Sequence, residues 1–194
     1  MQIQTTRFGK VNLSENDLVT FTEGLLGFSE LRKFVLLDDP NDEIFAWLQS
    51  CEKPAVAFPI LEPELFTSSY NIKLSKHDLE ALKLAADSGG GGIASRHRIF
   101  SIITIPADVT QMTANLKAPI VINVKERLAK QIVAQENDFQ IKFPVFIELQ
   151  KRVVQNPQAE IKSHAAEWGV AIKLPTTDGG GIAKGSTSTT DLNV

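Results

Sequence analysis

Twelve residues constrain the fold of this chain more than any others: Thr113-Ala-Asn-Leu-Lys-Ala-Pro-Ile-Val-Ile-Asn-Val124. Asn115 is suited to closing a local side-chain-to-backbone turn, and Pro119 fixes φ at the entrance of a strand. Ile120-Val121-Ile122 is β-branched throughout. Apolar residues on both faces of that run predict a central strand covered on both sides. Asn123 closes the run, and a buried amide there must find partners or cost about 1–3 kcal/mol. It is therefore expected to clamp a neighbouring loop.

The remainder has the rhythm of an antiparallel sandwich or small barrel, with a strand every ten or so residues and Pro, Gly and Asp between. Strands are expected over 3–8, 18–21, 34–37, 44–50, 55–60, 98–105 and 127–134. Glu136-Asn-Asp138 predicts a hairpin turn returning through 139–143 and on to Leu149. Ser75 to Ala86 has a helical stripe, with Ser75 and Asp78 placed as a capping box. A second helix is expected over Gln158–Trp168, closed by Gly169. The fold class is mainly β: a compact, antiparallel, barrel-like single domain with one or two short helices. It divides into a β domain over 1–150, a C-terminal extension with a helix over 151–177, and a Gly/Ser/Thr tail over 178–194 expected to be disordered.

Few residues suggest bond-making chemistry. The three histidines are separated from each other and from the lone cysteine, Cys51, so no zinc-like spacing is present. Gly89-x-Gly91-x-x-Ala94 matches a dinucleotide fingerprint in letters only, because that motif needs strand then helix and the expected order is the reverse. The single cysteine excludes an internal disulfide and suits a reducing compartment. No signal-peptide pattern or membrane-length apolar run is visible, so a cytoplasmic protein is expected. Neither a cofactor nor a metal is expected.

Charge is uneven: residues 1–80 hold 13 acids and 7 bases against an overall formal charge of −3. Nucleic acid needs clustered Lys and Arg, so a basic partner suits the acidic half better. Gly24-Leu-Leu-Gly-Phe28 holds three large apolar side chains beside two glycines, three apart, that permit sharp turns. The loop is either tucked into the core or an exposed apolar surface.

Taken in order, Gly24-Leu-Leu-Gly-Phe28, Trp47-Leu-Gln-Ser50, Phe58-Pro-Ile60 with Pro63, Tyr70, the Thr113–Asn123 string and Gln131-Ile-Val133 resemble the bacterial flagellar assembly factor FliW family over about residues 1–150. Leu26 stands where the family often has Pro, and Gly89–Gly92 resembles a local insertion. Residues from about 152 lie beyond the family's usual end. The resemblance implies a non-catalytic cytoplasmic protein that binds flagellin and, alternatively, the RNA-binding regulator CsrA, relieving repression of flagellin mRNA without touching nucleic acid or membrane itself. Gly24, Gly27, Gln49, Asn115, Pro119 and Asn123 are then structural motif positions.

Charge complementarity nominates Asp38, Asp39, Asp42, Glu43, Glu62 and Glu64 as CsrA contacts, against the reading of a solvated acidic loop. Leu25, Leu26 and Phe28 are the flagellin-contact candidates, against a pure core role. The alternatives are a small-ligand-binding or enzymatic β-barrel and a chaperone-like module with another client.

Overall fold

Seven strands close into a ring, and the twelve-residue stretch supplies one of its walls. A computed structural model describes residues 1–42, 44–84, 97–136 and 138–176. The ring comprises β3 (Leu18–Phe21), β4 (Lys33–Asp38), β5 (Ala46–Ser50), β6 (Ala57–Leu61), β7 (His97–Thr104), β9 (Ile120–Asn123) and β10 (Leu128–Gln131). Successive neighbours run antiparallel along β3-β4-β5-β6-β7-β9-β10, and the parallel pairing of β10 with β3 closes the circle. Closure leaves few backbone groups of the ring without a partner.

Side chains rather than space fill the interior. Phe21, Phe34 and Phe100 are buried there with Leu36, Leu48, Ile60, Ile120 and Ile122, and the rings of Phe21 and Phe34 meet edge-on at 5.0 Å. Continuous apolar runs are explained by burial on both faces. In β4, Phe34 and Leu36 point inward, while Val35 and Leu37 pack outside with Trp47 against a separate hairpin, β1 (Gln2–Thr5) and β2 (Gly9–Asn12). In β9, Val121 turns outward onto Leu82 and Leu84, so the expected two-sided cover of this strand is present.

A short helix, α1 (Lys76–Ala81), has the expected capping box, with Ser75 Oγ accepting from the Asp78 amide at 3.1 Å. It stops earlier than Ala86, which lies outside the described residues together with Gly89–Gly92 and the tail from 178. The short strands β8 (Thr113–Ala114) and β11 (Phe143–Pro144) pair beside β7.

Two expectations fail beyond residue 136. The segment leading to Leu149 is not a returning strand: after β11 the chain enters α2 (Val145–Gln155), which buries Val145 and Leu149 one turn apart. The aromatic and β-branched run Phe143-Pro-Val-Phe-Ile147 favours a strand locally, and packing of one helical face overrides that preference. Residues 158–168 are turns rather than a helix. Their polar groups are taken by the barrel: the Ser163 amide donates to the Ile44 carbonyl at 2.8 Å and the His164 amide to Glu62 at 2.6 Å. The segment ends in β12 (Ala171–Lys173), which pairs in parallel with β4. No helix among the described residues is long and apolar enough to cross a membrane.

Candidate partner-binding surfaces

The Gly24–Phe28 loop divides its apolar residues between core and solvent. Gly24 has φ +76°, and a Cβ there would lie 2.6 Å from the Ser29 carbonyl oxygen, so the turn requires glycine. Gly27 shares the left-handed backbone at φ +83°. Leu25 is buried in the barrel interior and Phe28 packs half-buried against Phe58 at 5.4 Å, whereas Leu26 is 61% exposed. Of the three candidates, Leu26 alone stands out into solvent and Leu25 offers no surface. Gln131 fixes the loop, accepting from the Leu26 amide at 2.9 Å and donating to the Ala118 carbonyl at 3.0 Å.

The acidic candidates do not form one negative face. Asp38, Asp39 and Asp42 line an open cleft of about 530 Å³ opposite Lys162 and Lys173. Asp42 accepts the Trp47 indole N–H at 2.9 Å and lies 3.7 Å from Arg7, whose guanidinium covers the same indole. Asp39 accepts from the Asn41 amide, and burial pushes the Asp38 carboxyl above its ordinary value. Glu64 is exposed, and Glu43 lies outside the described residues.

Glu62 departs furthest from the surface role, being only 1% exposed. Its Oε1 accepts from the Ser163 hydroxyl at 3.0 Å and from the His164 amide. Burial raises its pKa despite these bonds, which favour the ionised form. Glu62 is thus an internal clamp on the C-terminal extension, a role invisible without the tertiary contact.

The structural positions each hold backbone in place. Gln49 donates to the carbonyls of Ser50 and Val56 across the β5–β6 turn. Asn115 accepts from the Lys117 and Ala118 amides, and Pro119 presents its carbonyl to the Ile132 amide. Asn123 donates to the Leu82 carbonyl at 2.8 Å and accepts from the Lys125 and Glu126 amides, clamping the end of α1 to the barrel. Beside it Lys130, nearly buried, meets Glu23 at 2.8 Å and Asp78 at 3.0 Å. Burial alone would lower its pKa, yet these two carboxylates hold it above the ordinary lysine range.

A further apolar surface runs along α2. Along α2, Phe146, Ile147, Val153 and Val154 join Ile44, Met112 and Ile161 around an open groove of about 770 Å³. Val154 is 80% exposed. The signal was present as apolar residues at Val145, Leu149 and Val153, a spacing of four, and it was masked by the local strand preference. Among the described residues no group of three or more His, Cys, Asp or Glu side chains could hold a metal ion. Cys51 is half-buried, and burial pushes its thiol up to about 11, away from reactivity.

A family model described as FliW protein matches residues 2–145. The chain belongs to the FliW family. The flagellar assembly factor FliW of Bdellovibrio bacteriovorus is 59% identical over 174 residues, covering 90% of this chain and 95% of that relative. Its counterpart in Clostridium tetani is 33% identical over 151 residues, covering 78% of this chain and 99% of the relative. A crystal structure of the flagellar assembly factor FliW superposes with a TM-score of 0.66 at 34% identity, covering 75% of this chain and 97% of that one. The mainly β, barrel-like class read from sequence is therefore that of the FliW family. The family model ends at the first residue of α2, so most of the groove-lining helix and all of β12 lie beyond it.

Proposed function

We propose that this FliW-family chain is a non-catalytic cytoplasmic protein that binds flagellin and, alternatively, CsrA, and thereby relieves repression of flagellin mRNA. The observation that carries the reading is the open apolar groove along α2, since monomers rarely leave contiguous apolar surface exposed without a use for it. An amphipathic segment of an unassembled flagellin fits such a groove through apolar anchors one helical turn apart. Leu26 is a second, smaller apolar point. CsrA contact falls to the accessible acids, Asp38, Asp39 and Glu64, while Glu62 and Asp42 are occupied internally. Competition of the two partners for one limiting protein provides the coupling.

A ligand-binding or enzymatic barrel is less well supported, because phenylalanine and aliphatic side chains fill the interior. The test is binding of purified flagellin by fluorescence anisotropy. Val154→Asp should weaken binding at least tenfold with the thermal midpoint unchanged, and unaltered affinity in both Val154→Asp and Leu26→Ser would remove the apolar-capture reading. For CsrA, gel-shift relief of RNA binding should fall in the triple variant Asp38→Lys, Asp39→Lys, Glu64→Lys.

A further inference from the structure

We propose that the edge of β4 at Leu36–Asp38 is a strand-addition site for an extended, apolar polypeptide segment of a partner, and that residues 157–176 are a tethered, displaceable occupant of that site. The receiving groups lie within the residues matched by the family model and the occupant lies after them. β4, Ile44, Glu62 and Arg127 lie within residues 2–145, whereas the segment they grip, from Ser163 to Leu174, lies beyond.

The edge needs an occupant. β3 pairs with β4 only as far as Val35, and β12 takes over from Leu36 to Asp38 on the same side. Without β12 those backbone groups form a short open edge, and such edges recruit another strand. The bonds that hold the occupant are made largely to its main chain. The Ser163 amide donates to Ile44, and the His164 amide to Glu62. Arg127 donates to the carbonyls of Gly169 and Val170 at 2.6 and 3.2 Å, and the Leu174 amide donates to Asp38 at 2.9 Å. Main-chain recognition tolerates other sequences.

Side chains then specify the pattern that fits. Val170 is buried in the barrel's inner cluster, while Ile172 and Leu174 pack on the outer cluster beside Leu37 and Trp47. Lys173 points to solvent. The segment that fits runs parallel to β4, with apolar residues two apart at the positions of Ile172 and Leu174 on the outer face and a small apolar residue at that of Ala171 on the inner one. A tether supplies an effective concentration in the approximately millimolar range. A partner segment must therefore outcompete the resident, and its apparent affinity falls by the fraction of time the site stands open.

The test is independent of which protein supplies the partner segment. A fluorescein-labelled peptide copying residues 157–176 is titrated into the full-length chain and into a full-length variant carrying Trp168→Ala and Ile172→Asp, which weaken the resident and leave the receiving edge intact. The peptide should bind the variant at least tenfold more tightly than the unaltered chain, and a peptide with the same Ile172→Asp change should not bind. Equal binding to both chains, or none to a variant that still unfolds cooperatively, overturns the proposal. Should the variant fail to fold, native-state hydrogen exchange of the unaltered chain decides. Amides of β12 and Leu174 exchanging at least tenfold faster than those of β5 and β9 support a displaceable occupant, and a common rate rules it out.

Discussion

The barrel and the segment that follows it differ in how many contacts hold each of them in place. In the barrel each strand is paired on both sides and the interior is apolar, with Phe34, Leu36, Leu48, Phe100 and Ile120 fully removed from water. The C-terminal segment has one three-residue parallel pairing, with a buried carboxylate and an arginine on its main chain, and it lends Ala165, Trp168 and Val170 to the inner cluster and Ile172 and Leu174 to the outer one. Apolar burial in the barrel is shared among many residues, whereas the segment depends on a few polar anchors and a handful of apolar contacts, so its attachment is concentrated at fewer points. The comparison teaches where the molecule can open without unfolding.

The largest effect should come from the barrel. Phe100→Ala opens a cavity in the interior and should cost about 3–5 kcal/mol in denaturant unfolding; a loss under about 1 kcal/mol would mean that the interior collapses to fill the space. Next comes Asn123→Ala, which strands the Leu82 carbonyl and two turn amides and should cost about 1–3 kcal/mol.

Glu62 probes the attachment of the extension through pH. Its native pKa is raised above the ordinary value of 4.5, so the native state binds the proton more tightly than the unfolded chain does. Its contribution is fully present below that ordinary value and is lost as pH rises through the raised native pKa. Thermal midpoints measured across this window should therefore decline more steeply in the unaltered chain than in Glu62→Gln; parallel profiles would show that Glu62 does not titrate there. The smallest effect belongs to Leu26→Ser, expected within about 0.5 kcal/mol of the unaltered stability because the side chain touches little.

Much of the ring could be read directly from residues. A continuous apolar run marked β4 and a β-branched one marked β9, and Asn115 and Asn123 were recognisable because short polar side chains at strand ends have few roles other than closing turns. Beyond residue 136 local preference and tertiary packing disagree. In 143–149 the strand preference of Phe, Val and Ile opposes the helical spacing, and only packing against Met112 and its neighbours decides the outcome. In 158–168 a respectable helical sequence surrenders its amides to Glu62 and Ile44, partners a hundred residues away. The candidate acids were chosen by charge, and sequence does not reveal that Asp42 would be engaged by an indole or that Glu62 would lie inside.

The parallel seam between β3 and β10 joins Thr20 and Phe21 to Leu128 and Ala129, more than a hundred positions apart. During synthesis this seam cannot close until Leu128 and Ala129 have left the ribosome. Contacts of such long sequence separation slow folding, and they leave strand edges bare meanwhile. The seam can therefore form only once β10 has emerged, and the Leu36–Asp38 edge stays bare until β12 follows.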